Sequence, residues 1–286
     1  MIVDRSSSPV VTGENRLLIG RIHHIDSRRA LEQRTQLNVL IPGLLRRGFQ
    51  VEEATAHYQP DFPQTGRITV RDCTDVAVTH WSQHMHVRRE MARRREAMPS
   101  IPKRIRGYWR LTRRFLALFF QTGSLQRAIR RRNIERSLGA KHLHLWTCLA
   151  NSTAMGAVIV EDDFSLRTES SPDEVADLLN EFGTHIDWID LAGGISRKGL
   201  GFPDSRLENL VLSYICTNTT CGYFVSKRMA IALIDLISER PSRLFLGSFV
   251  TNELNNAGFR GSSVLPMIPP FIHGTLTGGM TSSIPY

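Results

Sequence analysis

Three consecutive carboxylates, Glu161, Asp162 and Asp163, stand within the stretch "GAVIVEDDFSL" at 156–166. The residues before them, 157–160, form an apolar run, and such a run flanked by turn-compatible residues reads as a buried strand. Acids crowded at a strand end repel one another unless something positive sits among them. Hard divalent cations such as Mg²⁺ or Mn²⁺ take carboxylate oxygens, and phosphates complete their shell. The acids therefore read either as a site holding a metal against a pyrophosphate or as a solvated acidic turn.

Other residues extend each alternative. His142 stands 19 positions before Glu161. It lies among Leu143, Leu145 and Trp146 and reads as a hydrogen-bonded structural histidine or as part of a ligand site. Arg28 and Arg29 follow the first strand-like segment. Their guanidinium forks match phosphate oxygens, and they suit a solvated helix start equally. Asp190 sits within an apolar strand and is a candidate general base or a structural acid.

These residues need a scaffold that carries them to one place. "RLLIGRIHHID" reads as a first strand, "SRRALEQRTQLNVLIPGLLRRGF" as a helical stretch with Pro42-Gly43 as punctuation, and "QVEEATAH" as a second strand. That β-α-β opening favours parallel strands. "SLQRAIRRRNIERSLGA" reads as a short helix stopped by Gly139, and "KHLHLWTCLANSTAMG" as the helix feeding the strand before the acids. "SPDEVADLLNEFG" carries an N-terminal serine, a proline, early acids and a closing glycine, which mark a helix. "IDWIDLAGG" reads as a buried strand, "CGYFVSKRMAIALIDLISER" as strand then helix, and "SFVTNELNNAG" as a short helix. The tail from 271 reads as loop. Alternating strands and helices make the fold class α/β, and ligands of such sheets bind beyond the strands' carboxyl ends.

The 286 residues suffice for a full core, and 41% are hydrophobic. No apolar run is long enough for a spanning helix, and the opening residues carry no secretory h-region. Cys73, Cys148, Cys216 and Cys221 share no CxxC spacing, so buried thiols in a reducing compartment are expected rather than disulfides or a structural metal. The net charge of +9 is concentrated: 88–136 holds 16 Lys/Arg against three acids, so the remainder is mildly acidic. Within this segment, 103–120 interleaves arginines with Tyr108, Trp109, Phe115 and Phe119 at helical spacing, as in a basic amphipathic helix. Such a helix packs on a core, lies on an anionic membrane surface, or tracks nucleic acid; its aromatic face favours the membrane over a purely electrostatic partner.

The ordered set Gly139, His142, Trp146, an apolar strand and Glu161-Asp162-Asp163 resembles glycosyltransferase family 25, the enzymes of lipooligosaccharide and lipopolysaccharide core synthesis. Later segments are similar in order. "HIDWIDLAGG" matches a family strand, and "CGYFVSKRMAIALIDLI" matches at Tyr223, Ser226, Lys227, Ala230 and Leu233. "PPFIHGTLTGGMTSSI" is similar to the closing segment, and "IHHIDSRRALEQR" loosely to the opening. The resemblance covers most of the chain outside roughly 60–136. Lys141 replaces a usual serine, and histidines at 23 and 24 replace Asn-Leu. A Pro-x-Asp before the last helix is missing, with Ser248 near its place and Glu253 the nearest acid.

The resemblance implies a GT-A-like, Rossmann-type nucleotide-binding sheet flanked by helices, in a single glycosyltransferase domain over 1–286 with 85–136 as a basic helical insertion. It implies transfer from a nucleoside-diphosphate sugar, a UDP-sugar by preference, to a glycan or glycolipid acceptor such as a lipooligosaccharide precursor. Glu161 and Asp163 would hold Mn²⁺ or Mg²⁺, while Asp162, His142, Arg28 and Arg29 would face the donor. Asp190 and Glu253 are the candidate bases for an inverting transfer. The expected place is cytoplasmic, peripheral on the inner membrane face through 103–132, without nucleic acid as a partner. Two other readings stand beside it: an inactive sugar-nucleotide-binding relative, suggested by the missing aspartate, and a metal-dependent nuclease using the basic segment.

Overall fold

The computed structural model describes residues 15–23, 27–57, 124–193, 209–217, 220–239 and 248–274. The aromatic part of the basic segment, 103–120, lies outside them. The chain forms a mixed seven-stranded sheet flanked by helices, an α/β arrangement compatible with a Rossmann-like fold.

Strand β1 (Arg16–Ile22) leads into helix α1 (Ser27–Arg46) and back to β2 (Gln50–Ala56), which pairs parallel to β1. Helix α2 (Ser124–Asn151) then feeds β3 (Gly156–Val160), parallel to β1 on its other side. The chain therefore turns to opposite sides of β1, which opens a crevice between the carboxyl ends of β1 and β3, the usual ligand position in open α/β sheets.

A short strand β4 (Phe164–Leu166) leaves the sheet, and α3 (Ser171–Phe182) follows. Strands β5 (Trp188–Asp190), β6 (Leu210–Leu212), β7 (Gly222–Ser226) and β8 (Ser263–Leu265) complete the order β2-β1-β3-β7-β5-β8-β6. β7 runs antiparallel to both neighbours, so the carboxyl end of β5 and the amino end of β7 share the edge where β3 ends. Helices α4 (Lys227–Glu239) and α5 (Ser248–Asn256) lie between β7 and β8 in sequence. Finally β9 (Phe271–His273) pairs antiparallel with β4 as a separate two-stranded ribbon.

The period-2 alternation of each strand divides the core into two layers. Leu17, Ile19, Val158, Val160 and Phe224 pack with Leu37, Leu40 and Leu44 of α1 and with Val175 and Leu179 of α3. Leu18, Ala157, Ile159, Tyr223 and Val225 pack with Leu145, Trp146 and Leu149 of α2 and with Met229 and Leu233 of α4. The sheet is thus covered on both faces, which is why β3 reads as a continuous apolar run.

Two breaker signals act differently from their local reading. Gly139 does not stop a helix: it is buried, and α2 passes through it. Pro42 lies inside α1, and Gly43 follows it where α1 meets α3. A Cβ on Gly43 would come within 2.3 Å of Pro172, so this glycine is a contact residue. Burial of a helix face outweighs the roughly 1 kcal/mol that a helical glycine costs relative to alanine. The segment read as a terminal loop also contains β9. Among the described residues no helix is long and apolar enough to cross a membrane.

Candidate functional site

The three acids emerge at the carboxyl end of β3 and go to different neighbours. Glu161 and Asp162 continue the strand's alternation, one toward α2 and the other toward α1. Glu161 is buried, with His142 Nε2 at 3.2 Å from its Oε1. The Thr220 hydroxyl donates to the same oxygen. Asp162 accepts from Arg29 of α1 at 2.7 Å, in a pair whose side chains are only 12–13% exposed. Asp163 Oδ2 lies 3.2 Å from His273 Nδ1 on β9. What separates the mutually repelling acids is thus supplied in part by the protein itself.

His142 is held by donor logic. Trp146 Nε1, which only donates, lies 3.1 Å from the Tyr223 hydroxyl. Tyr223 accepts that bond, and its hydroxyl lies 2.6 Å from His142 Nδ1. His142 thereby bridges the Tyr223 hydroxyl and Glu161 through its two ring nitrogens. Trp188 stacks on Tyr223 at 4.0 Å between centroids and closes the chain of rings from below. Burial alone would raise the Glu161 carboxyl; the hydrogen bond and electrostatic interaction with His142, and then the hydrogen bond from Thr220, outweigh it and hold the group below its ordinary value. Burial pushes the Tyr223 hydroxyl well up. Helix α2 through "KHLHLW" therefore delivers His142 to Glu161, as a hydrogen-bonded residue at the edge of the site.

Lys141, one residue earlier on α2, donates to the His23 carbonyl at 3.1 Å just past β1. Burial lowers its amine, while the charges of Asp162 and Glu161 act in the opposite direction. Gln33 of α1 is also buried there, and its amide donates to the Ile22 carbonyl at 3.0 Å. With Arg29, these residues line the crevice between β1 and β3. Arg28 is exposed and pairs along its own helix with Glu32 at 3.1 Å.

The ribbon brings in residues distant in sequence. Phe164 is in register with His273, and Gly274 donates its backbone N–H to the Asp163 carbonyl at 2.8 Å. Phe271 seats over Gly222, where a Cβ would come within 2.5 Å of its ring. Glycine at 222 therefore lets β9 close on β7, and it sets Cys221 beside Asp163. One donor atom each from Asp163, Cys221 and His273 lie within 4.8 Å of one another. Burial, then the Asp163 and Glu161 carboxylates, push the Cys221 thiol well up.

This trio is the group among the described residues whose geometry could hold a metal ion. Asp163 suits the expected Mn²⁺ or Mg²⁺, but a thiol and an imidazole do not belong to a Mg²⁺ shell. Glu161, the other ligand expected from sequence, is engaged by His142 and Thr220 instead. Neither Cys221 nor His273 stood out in sequence. A glycine-preceding cysteine and a histidine after Pro269-Pro270 carry no ligand spacing, and they stand 52 positions apart in the chain.

Asp190, at the carboxyl end of β5, is buried and accepts the Gly193 N–H at 2.9 Å, which fixes the turn after the strand. Glu253 is half-buried on α5, whose described packing is with α4 and, through Asn255, with Ile215. Ser248 begins α5. Cys148, Cys216 and Cys221 are not joined in disulfides.

Compared with known protein families and with curated proteins, the chain matches none of them.

Proposed function

We propose that the chain is a glycosyltransferase of the family 25 type, with a GT-A-like fold, that takes a nucleoside-diphosphate sugar and serves a cell-surface glycan precursor such as lipooligosaccharide. The observation that carries this reading is the placement of Glu161, Asp162 and Asp163 at the carboxyl end of β3, beside the crevice where the chain departs to both sides of β1. Ligands of open α/β sheets bind at such points. Arg29 and Lys141 support an anionic ligand there, because both are cations held close to the crevice by α1 and α2.

In this reading Arg29 and Lys141 attract the diphosphate, and Asp162 exchanges part of its pairing with Arg29 for a donor hydroxyl. The Trp146–Tyr223–His142 chain keeps Glu161 ionised and fixed. Asp163 is the residue that would hold the divalent ion, Mn²⁺ or Mg²⁺ by the resemblance. When bound, such an ion neutralises charge on a departing nucleoside diphosphate.

The test is release of nucleoside diphosphate from a panel of sugar nucleotides by the purified protein with a divalent ion. Turnover of one donor, lost in Asp163→Ala, is the expected result. Donor binding without turnover would identify an inactive relative. Cleavage of nucleic acid by the same acids would overturn the reading.

A further inference from the structure

We propose that Asp163, Cys221 and His273 form a binding site for a borderline-soft divalent ion of the Zn²⁺ class, with a fourth position left to an external ligand. The three side chains come from three separate segments: the end of β3, the residue before β7, and the end of β9. Their donors are a carboxylate oxygen, a sulfur and an imidazole nitrogen, the ligand types of zinc sites. Zinc–ligand distances of about 2.0–2.3 Å imply donor separations of roughly 3.3–3.7 Å at tetrahedral angles. Asp163 Oδ2 and His273 Nδ1 already stand 3.2 Å apart. All three donors lie within 4.8 Å, so closing on an ion asks for side-chain adjustment rather than a new backbone path.

The fold fixes the set in a way that a chance cluster would not need. Gly274 ties its backbone to Asp163, Phe271 packs edge-on against Phe164 at 5.4 Å, and Gly222 admits Phe271. The ribbon therefore presents His273 to Asp163 and Cys221. Sulfur selects against Mg²⁺ and toward Zn²⁺, and three protein ligands are the count of sites that keep a position open for water or a ligand oxygen. Binding balances simply: the Cys221 thiol gives its proton to solvent, and its sulfur lone pair then bonds the ion. The site shares Asp163 with the proposed function and puts a softer ion where the resemblance implies Mn²⁺ or Mg²⁺, but it does not need the sugar-nucleotide reading.

Cobalt(II) serves as the spectroscopic stand-in. The full chain, stripped with a chelator, is titrated with Co²⁺ and then with Zn²⁺. The expected result is one equivalent of bound Co²⁺ with a thiolate-to-cobalt charge-transfer band, displaced by Zn²⁺. Cys221→Ser should abolish the band, and His273→Asn should weaken Zn²⁺ binding at least tenfold. Cys73→Ser and Cys148→Ser should leave both unchanged. The wild-type spectrum is decisive even if a variant fails to fold. Absence of saturable binding, Co²⁺ bound without a thiolate band, or Mn²⁺ held in preference to Zn²⁺ would overturn the proposal. No sugar nucleotide enters the experiment, so its failure and that of the transferase reading are separate outcomes.

Discussion

Two buried acid groups sit at opposite edges of the same sheet, and they are used differently. At the edge where β5 begins, Asp187 accepts from Ser226 Oγ at 2.8 Å, from Arg228 Nε at 3.1 Å and from the Ser262 backbone at 3.1 Å. Its neighbours saturate both oxygens, and the far side of the pair, Arg228, is 62% exposed and also lies over Phe259 at 4.8 Å. Asp187 knits β7, α4 and the approach to β8 together. At the other edge, where β3 ends, each acid has its own partner: His142 and Thr220 for Glu161, Arg29 for Asp162, and His273 for Asp163. One carboxylate on four donors is a structural joint. Three carboxylates in a row, with cations and metal-type ligands arriving from four elements, is a more expensive arrangement, and stability alone does not call for it.

The largest effect should come from breaking the joint. Asp187→Ala strands the Ser262 N–H and the Ser226 hydroxyl, while Arg228 keeps its water. We expect a loss of about 3 kcal/mol, or a midpoint lowered by roughly 6–12 °C in thermal unfolding. Ligand binding by the remaining folded protein should be unchanged. A smaller but clear loss, about 2 kcal/mol, is expected for Tyr223→Phe, because Trp146 Nε1 and His142 Nδ1 both lose a buried partner. Denaturant unfolding checks it, and a neutral result would remove that hydrogen-bond chain from the account of stability.

The smallest effect is a pH dependence. Folding depresses the Glu161 carboxyl, so its contribution is fully present above the unfolded value, about 4.3 for glutamate. It is lost as pH falls through the lower folded value. Glu161→Gln keeps the shape and removes the titration. The stability difference between wild type and Glu161→Gln should therefore be flat above about pH 5 and shrink below about pH 4. Parallel curves across that window would place the ionised form of Glu161 outside the account.

The three acids and much of their scaffold were legible in sequence, whereas the joint at Asp187 was not. The β1-α1-β2 opening, the strand before the acids, the helix after Ser171 and the β7-α4 unit all carry period or punctuation strong enough to survive context. Pro42 and Gly139 misled locally because helices α1 and α2 are decided by the faces they bury. The strands β4, β6, β8 and β9 have three residues each, too few for any alternation to show. His273 reaches Asp163 only through the pairing of β9 with β4, and register between segments so far apart is a property of the packed chain. Cys221 is likewise an ordinary apolar-looking thiol until the ribbon closes beside it.

The central claim is that the edge where β3 ends is a ligand site for an anionic nucleotide, and a thermal-shift screen of sugar nucleotides with and without a divalent ion tests it most directly. A ligand that binds only the folded state at a hundred times its Kd adds about 2.7 kcal/mol to apparent stability. The account predicts that one sugar nucleotide raises the wild-type midpoint, more so with the ion, and that Asp163→Asn folds but loses the ion-dependent part. A wild-type midpoint that no nucleoside-diphosphate sugar moves, with or without the ion, would contradict it.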